Sequence, residues 1–502
     1  MSYSILKNGL ITTLLFLAMG VVAKDEIQKP GVKKGDLILE PFTDKESGVD
    51  LLRGSYEVWE NRETMKGRKI KLHFVIAPAL TENPEPDPIF FFSGGPGTGA
   101  SDGAGFEAKA VPKEQRNRDM VFVDQRGTGL SNGLFCKFVG PEDRLQTYLG
   151  DMYEDSMVIA CRKELEKRAD LALYTSDLAI DDIHEIRAAL GYDKINISGG
   201  SYGGRAVLVY LRRHEETVRT ATLFMPSPTG HLMPSRFAQD AQAAMDAVIR
   251  DCEADGTCSK QFPNFRKNLQ KVIAQLKSAP VTFEMMNRET KEKETVTLTY
   301  GPFTTALRSL LYSSYRALMI PALIEEAAKD NYEPITLYAV NYNKMINEFL
   351  AEGMYLSVSC AEDLPYVDVE KWSKAAEGTF LGDYRIARQS GACKLWPRGK
   401  IPEGYHKHVV SDVPTLIITG KNDPVTPPYW STPIAKNLSN SLMVQVPNAG
   451  HGVGTGRKCV EPMVQQFLDT GSVKNLDTAC ISEVKRPPWA LDLKEFMAQF
   501  NQ

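Results

Sequence analysis

Ser201 lies between glycines on both sides in Ser198-Gly199-Gly200-Ser201-Tyr202-Gly203-Gly204. The β-branched run Lys194-Ile195-Asn196-Ile197 precedes it, and Ala206-Val207-Leu208-Val209-Tyr210-Leu211 follows. The pattern predicts a strand, a tight reversal and an apolar helix. A reversal that tight needs glycines beside Ser201, because side chains there clash, and it pushes the serine Oγ out at the tip. The chemistry so offered is nucleophilic attack on an acyl carbon. A serine hydroxyl is a weak nucleophile alone, so it needs a histidine base and an acid that orients the base. Without those partners the segment would be an ordinary glycine-serine turn.

Both partners lie downstream. Pro414-Thr415-Leu416-Ile417-Ile418-Thr419-Gly420 reads as a buried strand that runs into Lys421-Asn422-Asp423-Pro424. Asp423 therefore sits just past a strand's C-terminal end, where parallel α/β sheets carry their active-site loops. By itself an aspartate before proline is a turn or cap residue. Leu442-Met443-Val444-Gln445-Val446-Pro447 is the next strand, and it ends in Asn448-Ala449-Gly450-His451-Gly452. Of the seven histidines, only His451 occupies a glycine-flanked strand end after the acid. His184 falls on a helix with the apolar spacing Ala179, Ile183, Ile186, Leu190, and is expected on its solvated face. His406 and His408 lie in a polar approach to a strand. The order serine, acid, histidine is that of hydrolases whose serine sits on a strand–helix elbow.

Such chemistry also needs donors for a developing oxyanion. Pro88-Ile89-Phe90-Phe91-Phe92 reads as a strand, followed by Ser93-Gly94-Gly95-Pro96-Gly97-Thr98-Gly99. Glycines let backbone N–H groups approach an oxyanion closely. The expected hole joins the N–H of Gly95 to that of Tyr202. A phosphate loop is excluded, since no Lys-[Ser/Thr] follows the glycines.

Ser93-Gly94-Gly95-Pro96-Gly97, then Asp124-Gln125-Arg126-Gly127-Thr128-Gly129-Leu130-Ser131, then Gly199-Gly200-Ser201-Tyr202-Gly203 resemble the α/β-hydrolase serine peptidases. Within these, the chain resembles the prolyl aminopeptidase and tripeptidyl aminopeptidase family over nearly its whole mature length. It departs at Ser93, where prolyl aminopeptidases usually carry histidine. That departure moves the resemblance toward the larger tripeptidyl branch and away from strict proline specificity. The resemblance implies an α/β-hydrolase fold, a mostly parallel doubly wound sheet with an inserted, mainly helical cap. The Asp124–Ser131 motif is read as structural, shaping a turn beneath the site.

The elements needed to position these residues are present. Gly54-Ser55-Tyr56-Glu57-Val58-Trp59 and Ile70-Lys71-Leu72-His73-Phe74-Val75-Ile76 alternate as half-buried antiparallel strands. From Pro88 to Phe224 strand and helix signals alternate, with a periodic helix over 176–190 stopped by Gly191. Such alternation gives a sheet with helices on both faces. Beyond Pro226 the texture becomes helical, with amphipathic runs over 237–252, 265–276, 303–311 and 319–329. Val281-Thr282-Phe283 and Thr295-Val296-Thr297-Leu298 form a small hairpin. The expected division is a signal peptide (1–23), the first part of the hydrolase core (24–225), a mainly helical cap (226–404) and the rest of the core (405–502). A cap that covers Ser201 excludes water and selects substrates.

The 502 residues are 43% hydrophobic and 24% charged with net charge −4, a globular composition that does not point to nucleic acid. Lys7 followed by the apolar run Leu10 to Val22, with Val21-Val22-Ala23 as a small-residue cleavage site, predicts an exported chain starting at Lys24. That run is too short to span a bilayer. Eight cysteines follow it: Cys136, Cys161, Cys252, Cys258, Cys360, Cys393, Cys459 and Cys480. In an oxidising compartment, secreted or periplasmic, they should pair. Many connectivities are open; nearest-neighbour pairing is expected. None has zinc-type Cys-x-x-Cys spacing. No metal or organic cofactor is implied.

The resulting expectation is an exported serine aminopeptidase acting on peptides. A serine esterase or lipase would use the same machinery, and a non-catalytic hydrolase-fold binding protein is a third reading. An aminopeptidase must hold a cationic α-amine, which a carboxylate does best. Glu362, in Val358-Ser359-Cys360-Ala361-Glu362-Asp363, is the candidate, held rigid if Cys360 is bridged to Cys393. Otherwise it is a solvated loop acid or a helix cap. Neither the unit released nor the oligomeric state is legible.

Overall fold

The computed structural model describes residues 31–112, 116–136 and 140–495, so the apolar segment before Lys24 lies outside the described residues. Ten strands form one sheet: β1 (Val32–Lys34), β2 (Leu37–Thr43), β3 (Asp50–Trp59), β4 (Lys69–Ala77), β5 (Ile89–Phe92), β6 (Met120–Val123), β7 (Ile195–Gly200), β8 (Val218–Phe224), and, beyond a hairpin of β9 (Val281–Met286) and β10 (Lys293–Leu298), β11 (Thr415–Gly420) and β12 (Ser441–Val446). Their spatial order is β1-β2-β3-β4-β6-β5-β7-β8-β11-β12. β1 to β4 pair antiparallel, and β4 meets β6 antiparallel. From β6 onward every pairing is parallel.

The parallel strands read as continuous apolar runs because both faces are covered. On β6, Val121 and Val123 join the core on one face, while Met120 and Phe122 join that on the other. On β11, Ile417 faces the first side and Leu416 and Ile418 face the opposite one. The covering helices are α1 (Ala104–Ala110), α3 (Ser176–Ala189), α4 (Tyr202–His214), α14 (Pro428–Asn437) and α15 (Arg457–Thr470), with α2 (Asp155–Leu165) lying outside the sheet layers. This is the α/β-hydrolase architecture expected.

Between β8 and β11 the chain makes α5 (Phe237–Ala254), α6 (Gly256–Gln261), α7 (Phe265–Ser278), the hairpin, α8 (Tyr300–Leu311), α9 (Ile320–Ala328), α10 (Glu333–Phe349), α11 (Glu352–Glu362), α12 (Val369–Ala375) and α13 (Tyr384–Leu395). Its main core packs Met245 and Ile249 of α5 with Leu269, Phe303, Leu307 and Ile324. That core also takes Leu145, Tyr148 and Leu149 from before the insertion, and Trp489 and Ala490 from after it. Segments from before and after the insertion thus close the outer layer.

The bridges join Cys136–Cys161, Cys252–Cys258, Cys360–Cys393 and Cys459–Cys480, the nearest-neighbour pairs. Among the described residues no helix is long and apolar enough to cross a membrane.

Candidate active site

The candidate residues come from the C-terminal ends of four strands. Ser201 is the one residue between β7 and α4, with φ 56° and ψ −122°. Its N–H donates to the carbonyl of Phe224 (2.9 Å), and its own carbonyl accepts from Ser227 (2.9 Å) and Gly204 (3.0 Å). These bonds fix the tip against β8. The glycine at 203 is compulsory: a Cβ there would lie 2.0 Å from the Phe92 carbonyl oxygen.

Asp423 follows β11 and is 2% exposed. Its Oδ1 accepts from the N–H groups of Val425 (2.7 Å) and Thr426 (3.0 Å), and its Oδ2 lies 2.8 Å from His451 Nδ1. Burial alone would raise this carboxyl, but the adjacent imidazole and the two amides hold it below its usual range. His451 follows β12, with its N–H on the Tyr312 carbonyl (2.8 Å) and its ring edge-on to the Tyr312 ring at 5.2 Å between centroids. Thr426 was not singled out by the sequence. Its Oγ1 donates to the Met225 carbonyl (2.7 Å) and sits 3.0 Å from Asp423 Oδ2 and 3.2 Å from His451 Nδ1. Met225 in turn donates to the Ile418 carbonyl, so the acid loop is tied to the end of β8, whose Phe224 carbonyl holds the Ser201 N–H. The local Asp-x-x-Thr turn was the available signal.

The glycine loop after β5 abuts the serine: a Cβ on Gly94 would stand 3.5 Å from that of Ser201. Gly95, at φ 107°, has no protein acceptor for its N–H among the described residues. The N–H of Tyr202, first residue of α4, has no partner within the helix. From the other side Ala351 donates to the Gly97 carbonyl (2.9 Å), and Leu350 pairs with Thr98.

A family model described as alpha/beta hydrolase fold matches residues 87–349, just over half the chain. The chain belongs to the α/β hydrolase family. A second model, described as TAP-like protein, matches residues 378–480 of this α/β hydrolase. Serine protease Hip1 of Mycobacterium tuberculosis (strain ATCC 25618 / H37Rv) is 23% identical to it, over 77% of this chain and 79% of that protein. Tripeptidyl aminopeptidase of Streptomyces coelicolor is also 23% identical, over 78% and 76%. Among solved structures, proline iminopeptidase from Mycobacterium smegmatis is 15% identical, with a TM-score of 0.37 and 83% and 98% of the two chains covered.

Glu362 is not where an open amine site would have it. It closes α11 with no exposed surface. Oε1 accepts from the Ser176 N–H (2.7 Å), and Oε2 from Ser176 Oγ (2.8 Å) and the Tyr405 hydroxyl. Arg205, in α4, lies 3.7 Å from it but holds Asp363 with both terminal nitrogens (2.9 and 3.1 Å). One guanidinium thus faces two carboxyls. Burial raises Glu362 to about 7, against the pull of Arg205. Glu362 belongs to a closed network joining α11 to α4, in which both of its oxygens already accept hydrogen bonds.

His184 is half-buried rather than on a fully solvated face. It stacks on His214 of α4 at 3.8 Å, and burial between the helices lowers it to about 4. His406 Nε2 donates to the Glu362 carbonyl (2.6 Å). The Asp124–Ser131 motif shapes the turn: Asp124 accepts from Ser101 and Leu130, and buried Arg126 grips Asp182 at 2.7 and 2.8 Å.

Proposed function

We propose that this chain is an exported serine aminopeptidase. It releases a short amino-terminal unit from peptides, either a single residue, proline included, or a di- or tripeptide. The observation that carries the proposal is the 2.8 Å contact between His451 Nδ1 and buried Asp423, in a chain whose Ser201 stands at φ 56° on the turn from β7 into α4. Ser201 Oγ attacks the scissile carbonyl carbon while His451 takes its proton; Asp423 fixes the imidazole tautomer and stabilises the imidazolium. The carbonyl oxygen becomes an oxyanion facing the N–H groups of Gly95 and Tyr202, the latter at the positive end of a 13-residue helix. The C–N bond then breaks, His451 gives its proton to the leaving amine, and an acyl-Ser201 ester remains. Water, deprotonated by His451, hydrolyses that ester. The TAP-like match and the two peptidase relatives support a peptide as substrate; the four disulfides support export.

With Glu362 enclosed, the acid suited to the α-amine is Glu352. It opens α11, one residue after the Ala351 bond to the oxyanion loop, on the acyl side of Ser201. It is partly exposed, accepts from the Tyr153 hydroxyl (3.0 Å), and burial raises its carboxyl. The test compares peptide amides with free and acetylated amino termini, and a simple acyl ester, on the wild type and Glu352→Gln. The free-amine peptide should be the best amide, and the variant should lose about 10-fold or more in kcat/KM on it alone. Equal cleavage of blocked and unblocked peptides would favour an esterase or endopeptidase.

A further inference from the structure

The general acid must touch the leaving amine, so the part of the substrate beyond the scissile bond begins at His451. What borders His451 there is Tyr312, and what holds the Tyr312 hydroxyl is Arg308 Nη1, at 3.0 Å. Arg308 lies in α8 against the ring of Phe237 (4.2 Å) and that of Tyr312 (5.3 Å). It is only partly exposed, and its Nε and Nη2 are buried with no protein acceptor among the described residues. A buried guanidinium with two unmet donors is costly unless an anion completes it. Asp240 of α5, which burial raises and the Arg308 charge lowers, takes the Tyr429 hydroxyl on its Oδ1 at 2.7 Å. Arg236 lies 3.9 Å from that same oxygen. Two guanidiniums therefore face this one carboxylate.

We propose that Arg308 binds a carboxylate on the leaving portion of the substrate, namely the free carboxy terminus when that portion is one or two residues long. The site would then favour short peptides, released from larger ones by an upstream endopeptidase. This rests on the peptidase reading above. A guanidinium fork accepts a carboxylate through two parallel N–H···O bonds, and the unmet Nε and Nη2 are the pair that can form them. The aromatic walls from Phe237 and Tyr312 leave those donors little competing water.

The test measures inhibition of neutral chromogenic ester turnover by short peptides that differ only in ending as an acid or as an amide. This readout needs no peptide cleavage, so it stands apart from failure of the peptidase reading. Wild type should bind the acid about 10-fold or more tighter than the amide. Arg308→Gln should bring the Ki of the acid and that of the amide to the same value, compared with each other on that variant while it still turns over the ester. Arg308→Lys, which keeps the charge and loses the fork, should retain part of the preference. Equal Ki for acid and amide on the wild type would overturn the proposal. So would a preference that survives in a folded Arg308→Gln protein.

Discussion

Ser201 holds a backbone conformation that non-glycine residues adopt at a cost of about 1–3 kcal/mol, and its φ of 56° is imposed by bonds to Phe224 and Ser227. Ser201→Gly should therefore abolish turnover while the thermal midpoint stays level or rises. A fall of several degrees would mean the elbow is not strained. Asp423→Asn should fold and turn over several orders of magnitude more slowly, because the amide can present the wrong tautomer partner to His451. Glu362 gives a pH signature. Its carboxyl is raised from 4.5 to about 7 in the fold, so between those values the unfolded chain is ionised while the folded one keeps its proton. The unfolded state then binds fewer protons, and stability falls as pH rises through that window, by about 3 kcal/mol, levelling above it. Urea titrations at several pH values should show that fall in the wild type and not in Glu362→Gln. Ser201, Asp423 and His451 were legible because each ends a strand within a few residues of glycine or proline. The place of Glu362 was not, because its partners Ser176, Arg205 and Tyr405 come from three distant segments.

At the scale of elements, two contacts fix α4, one to the inserted helices and one within the core. Arg205 of α4 and Asp363 after α11 are both fully buried and paired through two bonds. Removing one partner leaves a bare charge, so Asp363→Ala should lower stability by about 3–5 kcal/mol, measured by chemical denaturation; a loss under 1 kcal/mol would show that the pair does not join the layers. The second contact is Gly203 against β5. Its alanine variant drives a Cβ to 2.0 Å from the Phe92 carbonyl and should fail to accumulate as folded protein. The parallel strands and helices α3, α5, α7, α8 and α9 were readable from apolar period. α10 was not, because it buries only Ile335, Thr336, Ala339 and Val340, all in its first half. His184 was misplaced for a related reason: its helix has a second covered side, which only the packing of α3 on α4 reveals.

For the molecule as a whole, four bridges closing spans of 6 to 33 residues tie outer segments to the folded body. Peptide mapping of exported protein without reduction should recover those four pairs; eight free thiols would contradict both the pairing and the oxidising compartment. The strand ends that carry Ser201, Asp423 and His451 lie at one edge of the sheet, and the inserted helices bring Tyr312 and Ala351 to that edge from opposite sides. Nucleophile, base, acid and oxyanion donors therefore act as one unit only if the serine is activated. The most direct measurement is the intact mass of the protein after treatment with a fluorophosphonate, followed by peptide mapping of the adduct. The wild type should gain one phosphonyl group, on Ser201, and lose all turnover in step with labelling. Ser201→Ala should gain none and turn over nothing. Labelling at another serine, or full activity in Ser201→Ala, would contradict the account.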